Sequence, residues 1–590
     1  MILPDVWGEG SLFAFSGLDG PTPYTRSLVG HLSGDRIGVV FPRDGLHSLL
    51  FRVSGHGELV HRAVASDFLL ASLKGGPDRA WHDLFLGFSS CDTVVGTSSP
   101  LAVPYLSSDR PETLRLEGGR TTCGTYGGYF ALEVREEADG TVRFALAMDV
   151  DSVDVAAAKA LTGLSVDAGA LRERKFAWFA ALPEPPPALD DAERRTLAKC
   201  FSVMKSQVCT AEGVFRKRWT TPDRLPHAMC WLWDSVFHAM GNRFIDSGLA
   251  ADTLDAVFDM QRPDGCVPIS VDPTSSPFVE TQPPVLAFGV WDLYRATGDR
   301  SLLERHYDDL GRYLAWNRAH RDRNGNGLYE WLMRENPNAT NRCGESGMDN
   351  TPRFDDGKAK DAVDFSCFMA REFEAMGDMA RALGRDGEAA AWDAEREVVR
   401  TALNALLWDE DDGFYYDRVV EDGTFCKVKA VSGLLPLFAG LCDERRAAAL
   451  VRHLCNPDEF WTGAPVPSVA LDDPKHEEDM WRGPTWINYN YFLVLGLRRC
   501  GYAAEAEALR RATMRTVSWW YLQDGCIFEY FDSRGRVSPT RLSRKSTDIQ
   551  PYFAHPRIAV VRDFGWTATL YAALAMEAAP AASAPADPAR

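Results

Sequence analysis

Glu345 and Asp349 stand four positions apart in GESGMDNTPRF (Gly344 to Phe354), and no other segment of the chain is better suited to acid–base chemistry. Gly344, Gly347 and Pro352 disfavour a continuous helix, so the segment reads as a loop, where a rigid scaffold commonly presents catalytic carboxylates. A third acid, Glu529, lies between Phe528 and Tyr530 in CIFEYFDSRG, and the aromatic run MWRGPTWINYNYF (Met480 to Phe492) precedes it. Isolated carboxylates beside flat apolar rings make the composition of a sugar site. The rings cover the pyranose face and the acids act on the glycosidic bond. Cleavage with inversion needs one protonated carboxyl to release the leaving oxygen and one carboxylate to activate a water, about 6.5–9.5 Å apart. In WLWDS, Asp234 can accept from sugar hydroxyls while Trp233 covers the ring. Trp481, Arg482 and Trp486 follow the same logic, Arg482 being a donor for sugar oxygens or for a carboxylate. Trp566 in FGWTATL is read either as a core residue or as a subsite wall. Glu345 is read either as a ligand of a sugar hydroxyl or as a brace for the loop that carries Asp349.

The elements that must position these residues follow two rhythms. Residues 1–182 carry short alternating stretches broken by glycine turns (RIGVVF, HSLLFRVSG, GYFALEVREEADGTVRFALAMDV, KFAWFAAL), which predict a β-sandwich domain. The proline-dense, then acidic segment 183–195 reads as a linker entering a helix. Apolar residues three to four apart then recur in six long segments, from DAERRTLAKCFSVMKSQV to AAEAEALRRATMRTVSWW, with the aromatic and polar motifs falling between them. About 390 residues of such pairs make six hairpins of about 65 residues, a single mainly-α domain over 196–578. The last residues, 579–590, are low in complexity and expected to be disordered.

The totals narrow the classes. At 590 residues, with 45% hydrophobic and 11% aromatic side chains and 17 Trp, the chain is an ordered globular protein. A net charge of −19 argues against nucleic-acid or anionic-membrane partners, which demand basic surface. The 13 cysteines are scattered, odd in number and without a CxxC pair, as in a reducing compartment. No secretory signal and no membrane span is visible, so a cytoplasmic location is expected. There is no GxGxxG after a strand, no Walker loop, no HExxH and no GxSxG, and His238 reads as a packed histidine.

WLWDSVFHAMGN, QRPDGCVP, TQPPVLAFGVW, GESGMDNTPRF, WRGPTWINYNYF, FEYFD and FGWTATL, in this order, resemble glycoside hydrolase family 63, inverting α-glycosidases that share a fold with trehalases. The resemblance implies an (α/α)6 barrel with its site at one end, Asp349 as general acid and Glu529 as general base. It adds Asp264 and Gln282 as substrate-binding candidates. The activity it implies is exo-acting, an α-glucosidase on an α-linked disaccharide or small α-glucoside. Trehalase is second because MDNTPR resembles family 63 instead. Glycosyl-glycerate hydrolysis ranks lower because the compact enzymes of that type lack an N-terminal sandwich. An (α/α)6 phosphorylase would replace the base by a phosphate site, a lyase would need a Tyr/His base, and a sugar-binding derivative would have lost a carboxylate.

DRNGNGLYE places Asp322, Asn324, Asn326, the Leu328 carbonyl and Glu330 at positions 1, 3, 5, 7 and 9 of a calcium loop, with Met333 where the bidentate acid is expected. A calcium ion there would be structural, and an Asn-Gly turn between helices is the alternative. The chemistry itself requires no cofactor.

Overall fold

Two patterns of hydrophobic spacing become two units: Met1–Val208 with Val517–Ile527 and Ala568–Arg590, and Cys209–Thr516 with Phe528–Thr567. Residues 1–54, 58–75, 79–125, 127–275, 280–333, 342–545, 549, 552–553 and 559–577 are described by the structure, a computed structural model. The tail expected to be disordered, 579–590, lies outside them.

Among the described residues the first unit begins with thirteen strands: β1 (Leu12–Ala14), β2 (Val29–Leu32), β3 (Gly38–Pro42), β4 (Leu46–Val53), β5 (Glu58–Val64), β6 (Phe68–Gly75), β7 (Ala80–Ser90), β8 (Thr93–Ser98), β9 (Ala102–Ser108), β10 (Arg115–Glu117), β11 (Arg120–Thr125), β12 (Gly128–Glu136) and β13 (Val142–Asp149). One sheet has the order β1-β2-β3-β4-β9 and the other β10-β11-β12-β13-β8-β7-β6-β5. Their inner faces share one core. Phe13 meets Phe88 at 4.8 Å and Phe51 meets Phe144 at 5.3 Å between ring centres. The ADGT turn joins β12 to β13 as its sequence requires.

KFAWFAAL is not a strand. It lies largely in helix α2 (Ala168–Ala180), which follows α1 (Val153–Gly163), and both cover the outer face of the larger sheet. Asp167 caps α2 by accepting from Ala170 N, and Leu171, Lys175 and Phe179 recur at helical spacing on its buried side. Gly163 permits a close approach, since a Cβ there would stand 2.8 Å from that of Ala145. The segment expected as a linker ends in a capping box, Asp190 with Glu193, that starts α3 (Asp191–Ser206).

Helices continue as α4 (Leu232–Asn242), α5 (Ser247–Asp259), α6 (Leu286–Thr297), α7 (Arg300–Arg321), α8 (Val363–Leu383), α9 (Asp386–Leu406), α10 (Pro436–Ala439), α11 (Glu444–Leu454), α12 (Ile487–Arg499), α13 (Ala503–Asp524) and α14 (Gly565–Met576). Within the second unit α4 packs on α6, α6 on α8, α8 on α10 and α10 on α12. Every residue of α4 is buried, and α8 and α12 are nearly so, whereas α9 buries only Ala389, Val399 and Leu403. A helix apolar all round belongs inside other helices, and one with a wet face belongs outside them. Glu372 of α8 accepts from the backbone N–H groups of Ala287 and Phe288, both at 2.8 Å, and so caps α6 from a neighbouring helix. Burial pushes its carboxyl up to about 7 against the pull of those two N–H groups. Among the described residues no helix is long and apolar enough to cross a membrane.

Candidate active site

The connections leading into α4, α6, α8, α12 and α14 converge on one cavity of about 250 Å³. Of the residues singled out from sequence, Trp233, Asp234, Gln282, Asp349, Trp481, Trp486, Glu529 and Trp566 line it.

Asp349 is carried by two short 3-10 turns, Gly344–Ser346 and Pro352–Phe354. Gly347 between them takes φ +70°, and a Cβ there would lie 2.5 Å from the Trp233 ring, so only glycine lets the loop close on the indole. Asn350 Oδ1 accepts from Trp481 N (3.0 Å), and its amide donates to Asp479 (3.2 Å), which latches the loop to the segment before α12. Arg353 reaches Asp364 at the start of α8 (2.5 Å) and Asp417 (2.8 Å).

Glu529 sits on an extended stretch pinned on both sides. Its N–H donates to Val561 O (3.0 Å), and Phe531 exchanges two backbone bonds with Thr485. Phe528 and Tyr530 are fully buried, and the Tyr530 hydroxyl donates to Ser543 O (2.6 Å).

Each carboxylate meets a cation that the sequence reading did not single out. Arg544 grips Glu529 with Nε at 2.9 Å and a terminal nitrogen at 3.2 Å, both side chains being 4% exposed. Burial penalises the guanidinium charge, but Glu529 outweighs that penalty and holds it above its ordinary range. Lys545 donates to Asp349 Oδ2. His227 also faces the cavity: its Nδ1 bonds Asp223 (2.7 Å), leaving Nε2 to accept from Arg544 at 3.4 Å. The only sequence signal for these was a pair of consecutive cations, Arg544-Lys545, shortly after FEYFD.

Asp234, in the first turn of α4, is 3% exposed, and no cation pairs with it among the described residues. Burial pushes its carboxyl well above the ordinary range, and the Asp223 and Glu529 charges add to the effect. Gln282 Oε1 accepts from Trp233 N (3.2 Å) and steadies that turn. Trp481 and Trp486 stack at 3.7 Å and 5°, while Trp566 stands edge-on to Trp233 at 5.2 Å.

Three candidates lie outside the cavity lining. Glu345 is fully buried, held by Arg321 (2.6 and 2.9 Å) and by the N–H groups of Thr281 and Leu332, so it braces the loop. Arg482 binds Asp355 (3.0 and 3.1 Å) and the Asn350 carbonyl. Asp264 turns to Arg262 and Cys266 N on an exposed bend. His238 is packed as expected. It bonds Thr220 at 2.8 Å, and burial lowers its imidazole to about 3.

In the Asp322–Glu330 turn, Asp322 accepts from Asn326 N and Gly327 N, and Asn326 Oδ1 from Leu328 N. The Asn324 and Asn326 amides donate to Asp361, and Glu330 accepts from Arg323 (2.6 Å). Asp361, from outside the turn, thus brings a carboxylate beside a loop whose twelfth position lacks one. Among the described residues no three His, Cys, Asp or Glu side chains gather to hold a metal ion.

Two carboxylates with polar partners in a tryptophan-lined cavity make this a glycoside hydrolase site. Residues 226–536 match the mannosylglycerate hydrolase MGH1-like glycoside hydrolase domain, and the chain belongs to that family, within glycoside hydrolase family 63. The mannosylglycerate hydrolase of Rubrobacter radiotolerans is 26% identical over 449 residues, 60% of this chain and 92% of that protein. The family 63 mannosylglycerate hydrolase of Thermus thermophilus, solved with glucose, has a TM-score of 0.52 at 25% identity, covering 64% of this chain and 99% of that one. A bacterial glucoamylase solved with acarbose shares the fold over 97% of this chain and 95% of its own, with a TM-score of 0.61 at 11% identity.

Proposed function

We propose that the enzyme is an inverting, exo-acting α-glycosidase that hydrolyses a small glycosyl-glycerate, on an (α/α)6 barrel spanning 196–578. The observation that carries the reading is the presence of Asp349 and Glu529 on one tryptophan-lined cavity, in a chain related over 60% of its length to a mannosylglycerate hydrolase. The Asp349 carboxyl gives its proton to the glycosidic oxygen as the bond to the anomeric carbon breaks, and the aglycone leaves as an alcohol. A water attacks that carbon from the opposite face and loses its proton to Glu529, after which solvent restores both carboxyl groups. Trp233 and Trp566 cover the sugar, and Asp234 and Gln282 bond its hydroxyls. The relatives reverse the order that the sequence alone suggested, in which a disaccharide α-glucosidase came first. That reading stands second, because GESGMDNTPRF and FEYFD, which carry it, supply the same two acids.

The test is a panel of α-linked glucose disaccharides, trehalose, glucosyl-glycerate and mannosyl-glycerate, with the released anomer followed by proton NMR. Initial release of the β-anomer from a glycosyl-glycerate, absent in Asp349→Asn and Glu529→Gln, is expected. Release of the α-anomer first, or turnover only with added phosphate, would overturn it. We place the enzyme in the cytoplasm. A calcium ion at Asp322, Asn324, Asn326, Leu328 O and Glu330 is proposed in a structural role only. Calcium should then raise the Tm of the enzyme but not that of Asp322→Asn.

A further inference from the structure

A cation bonded to a general acid stands in a defined place. The acid must reach the glycosidic oxygen, so whatever touches the acid lies beside the aglycone and away from the ring of the cleaved sugar. Lys545 is in that place. The two cations of the cavity differ in what they can still do. Arg544 is buried, with Glu529 across its fork and His227 at its edge. Lys545 is 19% exposed, and among the described residues its ammonium bonds Asp349 alone, which leaves donors for a ligand. Its four-carbon stem can swing, whereas its backbone cannot. Lys545 N donates to Asp479 Oδ1 (2.8 Å), and the residue holds φ +57°, a left-handed conformation that a side-chain-bearing residue rarely adopts. The other oxygen of Asp479 takes the Asn350 amide, beside Asp349. One carboxylate therefore sets the spacing between the acid and the lysine.

The charge around the cavity points the same way. Glu280, Asp349 and Glu529 line it, against Arg544, which Glu529 already neutralises, and Lys545. An anionic aglycone would be repelled from such a site unless Lys545 turned to it. The acid poses the complementary problem, since Asp349 Oδ2 accepts from an ammonium where the reaction needs a carboxyl proton.

We infer that Lys545 recognises a carboxylate on the aglycone, and that its transfer from Asp349 to this carboxylate leaves the acid free to take up the proton it donates. The inference rests on the glycosyl-glycerate reading and gives it a residue. A neutral aglycone would leave Lys545 on the acid and be cleaved slowly, so one residue sets substrate class and readiness for catalysis together.

The experiment compares kcat/KM on α-mannosyl-D-glycerate and on the neutral glycoside in which CH2OH replaces the carboxylate, for the full-length enzyme, Lys545→Met and Lys545→Arg, with folding checked by calorimetric Tm. The enzyme should prefer the anionic glycoside by about 100-fold or more. Lys545→Met should abolish the preference, losing activity on the anionic glycoside and gaining it on the neutral one, whose acid is no longer held by an ammonium, while Lys545→Arg keeps most of the preference. An equal loss on both substrates overturns the inference and leaves Lys545 acting on Asp349 alone. So does an enzyme without the preference. Turnover of neither glycoside overturns the parent reading and the inference with it.

Discussion

One group of buried charges in each unit makes an instructive contrast. In the sheet-containing unit, Asp67 Oδ2 lies 2.7 Å from both Lys175 and Lys205, Asp19 closes the cluster at 2.6 and 3.0 Å, and the two lysines and Asp67 are at most 5% exposed. Burial works against the Asp67 charge, but the two ammonium groups hold its carboxyl far below the carboxylate range. In the helical unit, Asp234 is as deeply buried yet meets no cation among the described residues, and among them Lys545 has one partner and donors to spare. A charge cluster closed on itself fixes a packing arrangement. One left open towards a cavity is available to a ligand.

The strongest way to sharpen this contrast is at the acids. Asp349→Asn and Glu529→Gln should each cut kcat by about 10³-fold or more, with little change in Tm for the partly exposed Asp349 and a lower Tm for Glu529, whose loss of charge leaves the buried Arg544 without its counter-ion. Their failure to do so would mean that the cavity is not where the bond breaks. Asp67→Ala should do the reverse. It leaves two buried ammonium groups to share Asp19 alone, so about 3–5 kcal/mol of stability should be lost, read by denaturant titration, while the folded enzyme keeps its kcat.

Glu372 is an intermediate case, a buried carboxyl held by backbone N–H groups at the start of α6. Its proton is bound more tightly in the folded chain, at about 7 against an ordinary 4.5. The stabilisation is therefore complete below pH 4.5 and fades as pH rises through about 7, a loss on the order of 3 kcal/mol. Unfolding curves across that range should show the decline, and Glu372→Gln should flatten it. The smallest effect is expected at Asp264, on an exposed bend outside the cavity. Asp264→Ala should change stability by less than about 0.5 kcal/mol and kcat/KM by less than about two-fold.

What could be read in advance followed from how each residue type behaves. Trp233, Asp234, Asp349, Glu529 and Trp566 lie in motifs whose composition already describes a sugar site, and the fold brings them together. Consecutive cations such as Arg544 and Lys545 ordinarily mark solvated surface, and nothing local shows that their partners are Glu529 and Asp349. Glu345 could not be decided from sequence, since its role depends on Arg321 at the far end of α7. KFAWFAAL intersperses aromatic and small residues closely enough to mimic a strand, and the N-cap at Asp167 settles the matter in favour of a helix.

The parallel indoles of Trp481 and Trp486, with Trp233 and Trp566 in the same cavity wall, also make the site an optical instrument. Rings 3.7 Å apart and 5° from parallel are close enough to couple, so a sugar laid against that wall should shift the intrinsic emission of the protein. Occupancy of the cavity could then be followed by fluorescence in the unlabelled enzyme, including in Asp349→Asn and Glu529→Gln, where turnover gives no signal.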